Sequence, residues 1–188
     1  MKPVSAEAVV IGASAGAFDA LSAILPSLPQ SYRLPVIVVV HLPSDRPSLM
    51  ADLFRQKCEM LVEEAEDKQP LSKGTIYFAP PDYHLLIEAD RTLSLSKDEP
   101  VLFSRPSIDV LFESASDVFG AGLIAIVLTG GNEDGAAGLR YVYDAGGKAI
   151  VQHPASAYVP NMPCAALSRC PQAATLSLDT IAAYLREV

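Results

Sequence analysis

The chain has 188 residues, half of them hydrophobic and 19% charged, a composition typical of one globular domain. Its net charge of −8 argues against nucleic-acid binding, which needs a basic surface. Its longest apolar stretches, such as 36–40, fall far short of the roughly 20 residues of a membrane span. Residues 1–7 lack the basic flank and apolar core of a signal peptide. We therefore expect a single cytoplasmic domain over residues 1–188, without membrane insertion.

The cysteine and histidine pattern predicts neither disulfides nor a metal site. Cys58, Cys164 and Cys170 form no C-x-x-C pair, and their odd number favours free thiols in a reducing compartment. The histidines, cysteines and acidic residues show no spacing typical of metal ligands.

The first half of the chain alternates strand and helix signals. A strand over 8–11 ends at Gly12, and a helix with a periodic apolar face follows and ends near Leu25, before Pro26. The second strand, 36–40, is a continuous run of β-branched residues, which is typical of a strand buried on both faces. Residues 83–88 and 92–96 flank a short polar turn and predict an antiparallel hairpin.

The second half continues the alternation. An apolar stripe predicts a helix from Ile108 to Phe119, which Gly120 can end. A strand over 123–128 leads into a glycine-rich loop, 129–135, and then into a helix that runs to about Ala145. The last helix begins after Ser177. This order indicates an α/β fold with three layers, doubly wound and Rossmann-like, whose sheet is mostly parallel with one antiparallel hairpin.

The chemistry of such a fold is expected where the strands end, because ligands bind at the carboxyl ends of parallel strands. After the first strand, residues 12–16 read Gly-Ala-Ser-Ala-Gly and fit the G-x-S-x-G pattern, whose small residues permit a sharp turn that exposes the serine. Ser14 would then lie at a helix N-terminus, where the main-chain N–H of Ala15 points outward and suits an oxyanion hole. Alone, this pattern is weak, since glycine-rich turns are common after a first strand.

Two more residues could complete a catalytic triad with Ser14. His41 follows the second strand, and it can reach Ser14 if the first two strands are neighbours, about 5 Å apart. Asp134 follows the strand at 123–128, at the start of the next helix. It could orient the His41 ring as the third triad member, or simply cap its own helix, since aspartate is a favoured N-cap residue.

A dinucleotide-binding fold would begin in the same way. In that fold the middle glycine of G-x-G-x-x-G lets the backbone approach the pyrophosphate, and an acidic residue ends the second strand and binds the ribose. Ser14 and His41 occupy those two places here. These two differences count against a dinucleotide site, but the residues by themselves leave both functions open.

Several segments together resemble the catalytic domain of chemotaxis protein-glutamate methylesterases, the CheB type. They occur in family order between about Val9 and Cys170, as VVIGASAGAFDAL, LPVIVVVHLP, GTIYFAPPDYHLLIE, RPSIDVLFES, IVLTGGNEDGAAGL, DAGGKAIVQHPASA and MPCAAL. The resemblance implies Ser14 as nucleophile, His41 as general base and Asp134 as the triad aspartate.

The family activity that this resemblance implies is hydrolysis of methyl esters on chemoreceptor glutamate side chains, with deamidation of glutamines in some members. It needs no metal and no organic cofactor. The N–H groups of Ala15 and of a residue near Gly131 would hold the oxyanion, and His84 would line the substrate groove unless it is a simple loop residue. Tyr83, Arg105 and Met162 are implied to shape the cleft. The partner would be a methylated chemoreceptor, and a monomer is expected.

Three departures from the family pattern keep an alternative open. Ala15 stands where the family has threonine, and in the aspartate loop Gly131 and Asn132 replace a methionine and a glycine. The phosphorylatable receiver domain that usually precedes the esterase is expected to be missing. The alternative is a divergent or non-catalytic module of the same fold, with another ester or amide substrate or with a binding role only.

Overall fold

A computed structural model describes residues 5–42 and 47–188 of the chain. Residues 1–4, part of the segment inspected for a signal peptide, and Pro43, the last residue of the segment LPVIVVVHLP, lie outside this range. The described residues form the strands β1 (Ala8–Ala13), β2 (Val36–Val40), β3 (Leu61–Glu64), β4 (Thr75–Phe78), β5 (His84–Ile87), β6 (Leu93–Ser96), β7 (Leu123–Val127), β8 (Lys148–Gln152) and β9 (Ala174–Leu176). Their helices are α1 (Ala17–Ile24), α2 (Met50–Arg55), α3 (Ile108–Phe119), α4 (Ala136–Asp144), α5 (Asn161–Arg169) and α6 (Leu178–Glu187).

The main sheet has seven parallel strands in the order β3-β4-β2-β1-β7-β8-β9, and β5 and β6 form a separate antiparallel pair. This confirms the predicted fold class and hairpin. From β1 the chain builds one half of the sheet through β2, and later crosses to the other side of β1 to form β7. The carboxyl ends of these three strands therefore meet at the topological switch point, where doubly wound sheets bind ligands.

Side-chain alternation along the strands creates two separate cores, one on each face of the sheet. Val9 and Ile11 of β1 pack on the face covered by α1, α2 and α6. Ala8 and Val10 pack on the other face, under α3, α4, α5 and the hairpin. The strand period of two thus produces the predicted three layers.

Element bounds differ from the predicted ones where local signals were ambiguous. Strand β1 continues through Gly12 to Ala13, two residues beyond its expected end, because the pairing with β2 extends to the Ala13–Val40 pair. Helix α3 spans Ile108–Phe119 as predicted. Among residues 5–42 and 47–188, none of the helices has both the length and the apolarity needed to cross a bilayer.

Helices α3 and α4 touch at a glycine. A Cβ atom at Gly138 would lie 2.7 Å from the Cβ of Phe112 and 3.0 Å from the Cα of Asp109, so the two helices approach closely only because Gly138 has no side chain. The Asp109 carboxylate is buried in this contact and accepts a 2.7 Å hydrogen bond from the Gly138 N–H.

Burial raises the pKa of Asp109 to about 6, and the nearby carboxylates of Asp134 and Glu113 add to this effect while the Gly138 hydrogen bond opposes it. In an unfolded chain the same carboxyl titrates near 4. The folded state therefore binds the proton more tightly. Ionisation of Asp109 costs folded-state stability as the pH rises from about 4 through about 6.

We predict that Asp109→Asn becomes stabilising, relative to the unchanged protein, as the pH rises. Asparagine keeps an oxygen to accept the Gly138 N–H but never ionises. The difference in free energy of unfolding, variant minus unchanged protein, should increase by about 2 kcal/mol between about pH 4.5 and pH 8. Urea unfolding at both values measures it. Asp179→Asn, at the same second position of helix α6 but exposed, is the matched control and should show little pH-dependent difference. A flat difference for Asp109→Asn would contradict the prediction.

Candidate active site

Ser14 follows β1 directly and lies in the turn that leads into α1. Its carbonyl accepts a hydrogen bond from the Ala17 N–H, at 2.9 Å, in the direction of the helix. Because the peptide bond is planar and trans, the N–H of Ala15 on the same peptide points the opposite way. The Ala15 carbonyl is held in turn by the Thr129 hydroxyl at 2.8 Å, which ties this turn to the end of β7.

The glycines of the G-x-S-x-G pattern have different roles from those the pattern suggested. Gly16 caps α1 with φ of 82°, a left-handed conformation that favours glycine. Gly12 does not form the turn, because it is still part of β1. A Cβ atom there would lie 2.3 Å from Cγ2 of Ile108, and one at Gly135 would lie 2.7 Å from the same atom. These two glycines make room for the first residue of α3 against the end of the sheet.

Asp134 is fully buried, and its carboxylate accepts four hydrogen bonds. Oδ1 accepts from the Ser107 hydroxyl at 2.8 Å and from the Asp109 N–H at 3.0 Å. Oδ2 accepts from the Ile108 N–H at 2.6 Å and from Nε2 of His41 at 2.7 Å. The carboxylate therefore lies on the N-terminus of α3, where the exposed N–H groups and the helix dipole favour negative charge.

The alternative role considered for Asp134, as the cap of its own helix, is wrong. Helix α4 begins at Ala136, with Gly135 as its N-cap, and Asp134 caps α3 instead. Desolvation by burial raises the pKa of the Asp134 carboxyl. The hydrogen bonds from His41, Ile108 and Asp109 outweigh this effect, so the pKa ends below its ordinary value and the carboxylate is ionised at neutral pH.

His41 follows β2 and continues the pairing with β1 by donating its N–H to the Ala13 carbonyl. Ala13 and Val40 are paired on the adjacent parallel strands β1 and β2. Ser14 directly follows the first of them and His41 the second. The Nε2 atom of His41 is committed to Asp134, which leaves Nδ1 as the ring nitrogen available to Ser14. Over the described residues no hydrogen bond joins the Ser14 hydroxyl to the His41 ring. Such bonds are often absent or long in unliganded hydrolases and form with substrate.

The two predicted oxyanion donors have free N–H groups. Neither Ala15 nor Gly131 donates its N–H to a protein acceptor within residues 5–42 and 47–188. Gly131 is exposed, and a Cβ atom there would meet nothing within 4 Å. Its neighbour Gly130 is tightly packed, since a Cβ atom there would lie 2.5 Å from Cε of Met162 and 3.0 Å from Cβ of Ser14. The loop after β7 therefore passes close to Ser14.

Asn132 supports this loop through its side chain. Its backbone lies outside the left-handed region that favours glycine. Its amide oxygen accepts the Asp134 N–H, and its amide nitrogen donates to the Ser104 hydroxyl, each at 3.3 Å. The Asn132 side chain therefore links the altered loop to Asp134 itself and to Ser104 in the segment before α3.

A cleft of about 240 Å³ opens beside the His41 ring. Its lining residues include Asp82, Phe103 and Arg105. Arg105 is fixed by two hydrogen bonds to the Asp82 carboxylate and by two more to the carbonyls of residues 97 and 98. The Phe103 side chain is fully exposed at the rim of the cleft. Ser14, Ala15 and Gly131 are not among its lining residues, so this space lies on the His41 side of the site.

His84 does not fit the predicted role as a substrate-groove or loop residue. It begins strand β5, is 2% exposed and uses both ring nitrogens on the main chain. Nδ1 accepts from the Ser107 N–H and Nε2 bonds to the Glu99 carbonyl, both at 3.1 Å. Met162, also implied to shape the cleft, is buried beside Gly130 and is not among the residues that line the cleft.

Sequence reasoning missed Ser107 as part of this site. Ser107 is the N-cap of α3, and its hydroxyl accepts a hydrogen bond from the Val110 N–H. Its second partner, Asp134, comes 27 residues later and gives no local signal. In the part of the chain that the structure describes, no cluster of histidine, cysteine and acidic side chains could hold a metal ion.

Comparison with known proteins identifies a family. The model of the CheB methylesterase family matches residues 9–185. A relative in Leptospira interrogans is 45% identical over 176 residues, which cover 94% of this chain and 91% of that protein. A Clostridium acetobutylicum protein named protein-glutamate methylesterase/protein-glutamine glutaminase is 34% identical, over 95% of this chain and 52% of its own length.

The fold gives the same result. The crystal structure of the Thermotoga maritima CheB methylesterase catalytic domain matches with a TM-score of 0.93 and 31% identity, over 98% of this chain and 99% of that one. The chain spans nearly all of the Leptospira relative and about half of the Clostridium one. Family model, sequence relatives and fold agree with the resemblance read from the sequence: the chain belongs to the CheB methylesterase family of enzymes and has the fold of its catalytic domain.

Proposed function

We propose that this chain is a protein-glutamate methylesterase that uses Ser14, His41 and Asp134 as a catalytic triad. One observation carries the proposal. The His41 ring, at the end of β2, is bonded at 2.7 Å to an ionised and buried carboxylate, one strand away from a serine at the end of β1. A serine, an imidazole and a carboxylate in this order are the parts of an acyl-transfer site.

The reaction begins with a proton transfer to His41. Since Nε2–H donates to Asp134, Nδ1 is the basic nitrogen, and it takes the Ser14 hydroxyl proton as Oγ attacks the ester carbonyl carbon. This is the reverse of the chymotrypsin ring orientation, in which Nδ1 faces the aspartate. When the tetrahedral intermediate collapses, the methoxy group takes the proton from Nδ1 and leaves as methanol. A water molecule, deprotonated by Nδ1, then releases the glutamate and restores Ser14.

The negative oxygen of the intermediate is held by main-chain N–H groups. The N–H groups of Ala15 and Gly131, which follow β1 and β7, have no acceptor among the described residues and are the proposed donors. Ala15 also lies at the N-terminus of α1, where the dipole adds to the attraction. Since the donor is the main chain, alanine in place of the family threonine leaves it intact.

The proposed partner is a methylated chemoreceptor, and the proposed location is the cytoplasm. The Clostridium relative's name also gives a glutaminase activity. The same acyl-enzyme would form from a glutamine side chain with ammonia in place of methanol as the leaving group.

A non-catalytic role is the competing function. It would require the altered aspartate loop to have lost its catalytic shape. The anchoring of Asn132 to Asp134 and Ser104 favours the enzyme, because the loop holds the carboxylate against His41.

We predict that Ser14→Ala abolishes methanol release from a methylated receptor fragment and leaves the fold intact. No protein hydrogen bond of the Ser14 hydroxyl exists within the described residues, so its loss should not change the melting temperature. A fluorophosphonate probe should label Ser14 of the unchanged protein and not the variant. Ala15→Thr, which keeps the main-chain donor, is the control and should retain most of the activity. Methanol release that survives in Ser14→Ala would refute the mechanism, and an unlabelled, inactive parent protein would favour the binding module.

We predict that Asp134→Asn lowers both activity and stability. All four partners of the carboxylate donate hydrogen bonds, so an amide NH₂ must face at least one donor without an acceptor. We expect kcat to fall by a factor on the order of 10⁴, as for the equivalent change in a serine protease. Steady-state kinetics with the receptor fragment and thermal unfolding measure the two effects. The control is Glu133→Gln, at the neighbouring exposed residue, which should change neither kcat nor the melting temperature. Similar losses of kcat and stability in both variants would contradict the role assigned to Asp134.

A further inference from the structure

His84 and Ser107 form a buried junction between the cleft wall and the Asp134 carboxylate. One ring nitrogen of His84 bonds the Glu99 carbonyl, in the segment that carries the cleft residues 100 and 103–106. The other bonds the N–H of Ser107, the N-cap of α3. Ser107 is fully buried and donates its hydroxyl to Asp134. Hydrogen bonds of His84, Ser107 and Asp134 thus connect the cleft wall to His41.

Every N–H group at the start of α3 has a defined acceptor. The N–H groups of Ile108 and Asp109 go to Asp134, that of Val110 to the Ser107 hydroxyl and that of Leu111 to the Ser107 carbonyl. The remaining one, of Ser107 itself, goes to His84. Helix starts normally leave such groups to solvent or to a single cap. Here two side chains from outside the helix, His84 and Asp134, fix its position and direction.

The geometry also fixes the tautomer of His84. A main-chain N–H can only donate, so Nδ1 of His84 is the acceptor and carries no proton. Nε2 carries the proton and donates it to the Glu99 carbonyl. Nδ1 therefore has to accept a hydrogen bond and Nε2 has to donate one, and a suitable substitution can remove either bond separately.

We propose that Ser107 and His84 are positioning residues for the Asp134–His41 pair, with Ser107 orienting the carboxylate and His84 holding Ser107. Neither touches substrate. With Ser107 in place, Oδ1 of Asp134 is occupied by two donors and Oδ2 is directed to His41. Without the hydroxyl, the carboxylate can rotate away from the line to Nε2. This inference rests on the proposed triad and deepens it.

The first test compares Ser107→Ala with Ser116→Ala. Both serines are buried, Ser107 as the N-cap of α3 and Ser116 within the helix. The Ser116 hydroxyl has no partner among the described residues, so its removal is the matched control. We expect Ser107→Ala to lower kcat for ester hydrolysis about ten-fold, the scale of one hydrogen bond to a charged group, with KM unchanged. Ser116→Ala should leave kcat unchanged. Equal kcat in the two variants, measured well below their melting temperatures, would overturn the proposal.

A second readout does not depend on activity. The His41 Nε2 proton, held between ring and carboxylate, should give a strongly downfield ¹H NMR signal. We expect it to move upfield or broaden in Ser107→Ala and to stay in place in Ser116→Ala. A role in packing alone would lower the melting temperature of Ser107→Ala without moving this signal.

The two nitrogens of His84 can be separated by amide substitutions. Asparagine places an oxygen near the Nδ1 position and can still accept the Ser107 N–H, whereas glutamine places its NH₂ near Nε2 and can still donate to Glu99. We expect His84→Asn to retain most of kcat and the NMR signal, and His84→Gln to lose about as much as Ser107→Ala. The reverse order, or two equal losses in folded variants, would overturn the role of His84. If neither variant folds, the serine pair decides the proposal.

Failure of this inference and failure of the proposed function give different results. If the unchanged protein releases no methanol but its NMR signal still responds to Ser107→Ala, the methylesterase assignment fails and the positioning role stands. If the protein is active and neither kcat nor the signal responds, only the positioning role fails.

Discussion

The buried carboxylate of Asp134 constrains the geometry around it more than any other group. An ion removed from water loses several kcal/mol of solvation, and only well-placed donors can compensate for that loss. Here the N-terminus of α3 supplies them: two main-chain N–H groups and the Ser107 hydroxyl bond the carboxylate, and His41 completes the set. Helix α3 therefore has to start at the end of the sheet. Gly12 and Gly135 are the residues that leave room for it, because any side chain there would overlap Ile108.

Much of the fold was predictable because its strongest signals are local. The β-branched run at 36–40 and the apolar stripe of α3 are patterns within one element, and the structure confirms both. The rule that ligands bind at strand ends also directed attention to Ser14 and His41 before any contact was known. The first two strands are neighbours, as the triad required, and this places the two residues side by side.

The parts that sequence reasoning missed are long-range. Asp134 was expected to orient His41 or to cap its own helix, but nothing in the sequence indicated that its carboxylate also bonds the start of a helix 26 residues earlier. His84 lies in a segment that resembles the family, yet a lone histidine gives no sign of which way it faces, and it points into the core. Gly12 fits a turn motif, but it is needed for space, and the neighbour that requires the space is Ile108, far away in sequence. Each of these roles depends on how α3 packs, which no local pattern encodes.

The same packing explains how the altered aspartate loop can keep its shape. Asn132 replaces a family glycine, and its side chain bonds the Asp134 N–H on one side and Ser104 on the other. Ser104 belongs to the segment that lines the cleft, so the loop, the cleft wall and α3 are joined around one carboxylate. In the proposed mechanism, the hydrogen bonds of the Asp134 carboxylate serve both stability and catalysis. At Ser14, stability does not depend on the hydroxyl proposed to react. The hydrogen bonds that hold the Ser14 turn are made by the main chain and by Thr129. The proposed nucleophile is therefore free to change partners during a reaction, while the carboxylate proposed to orient its base is held at the start of a helix.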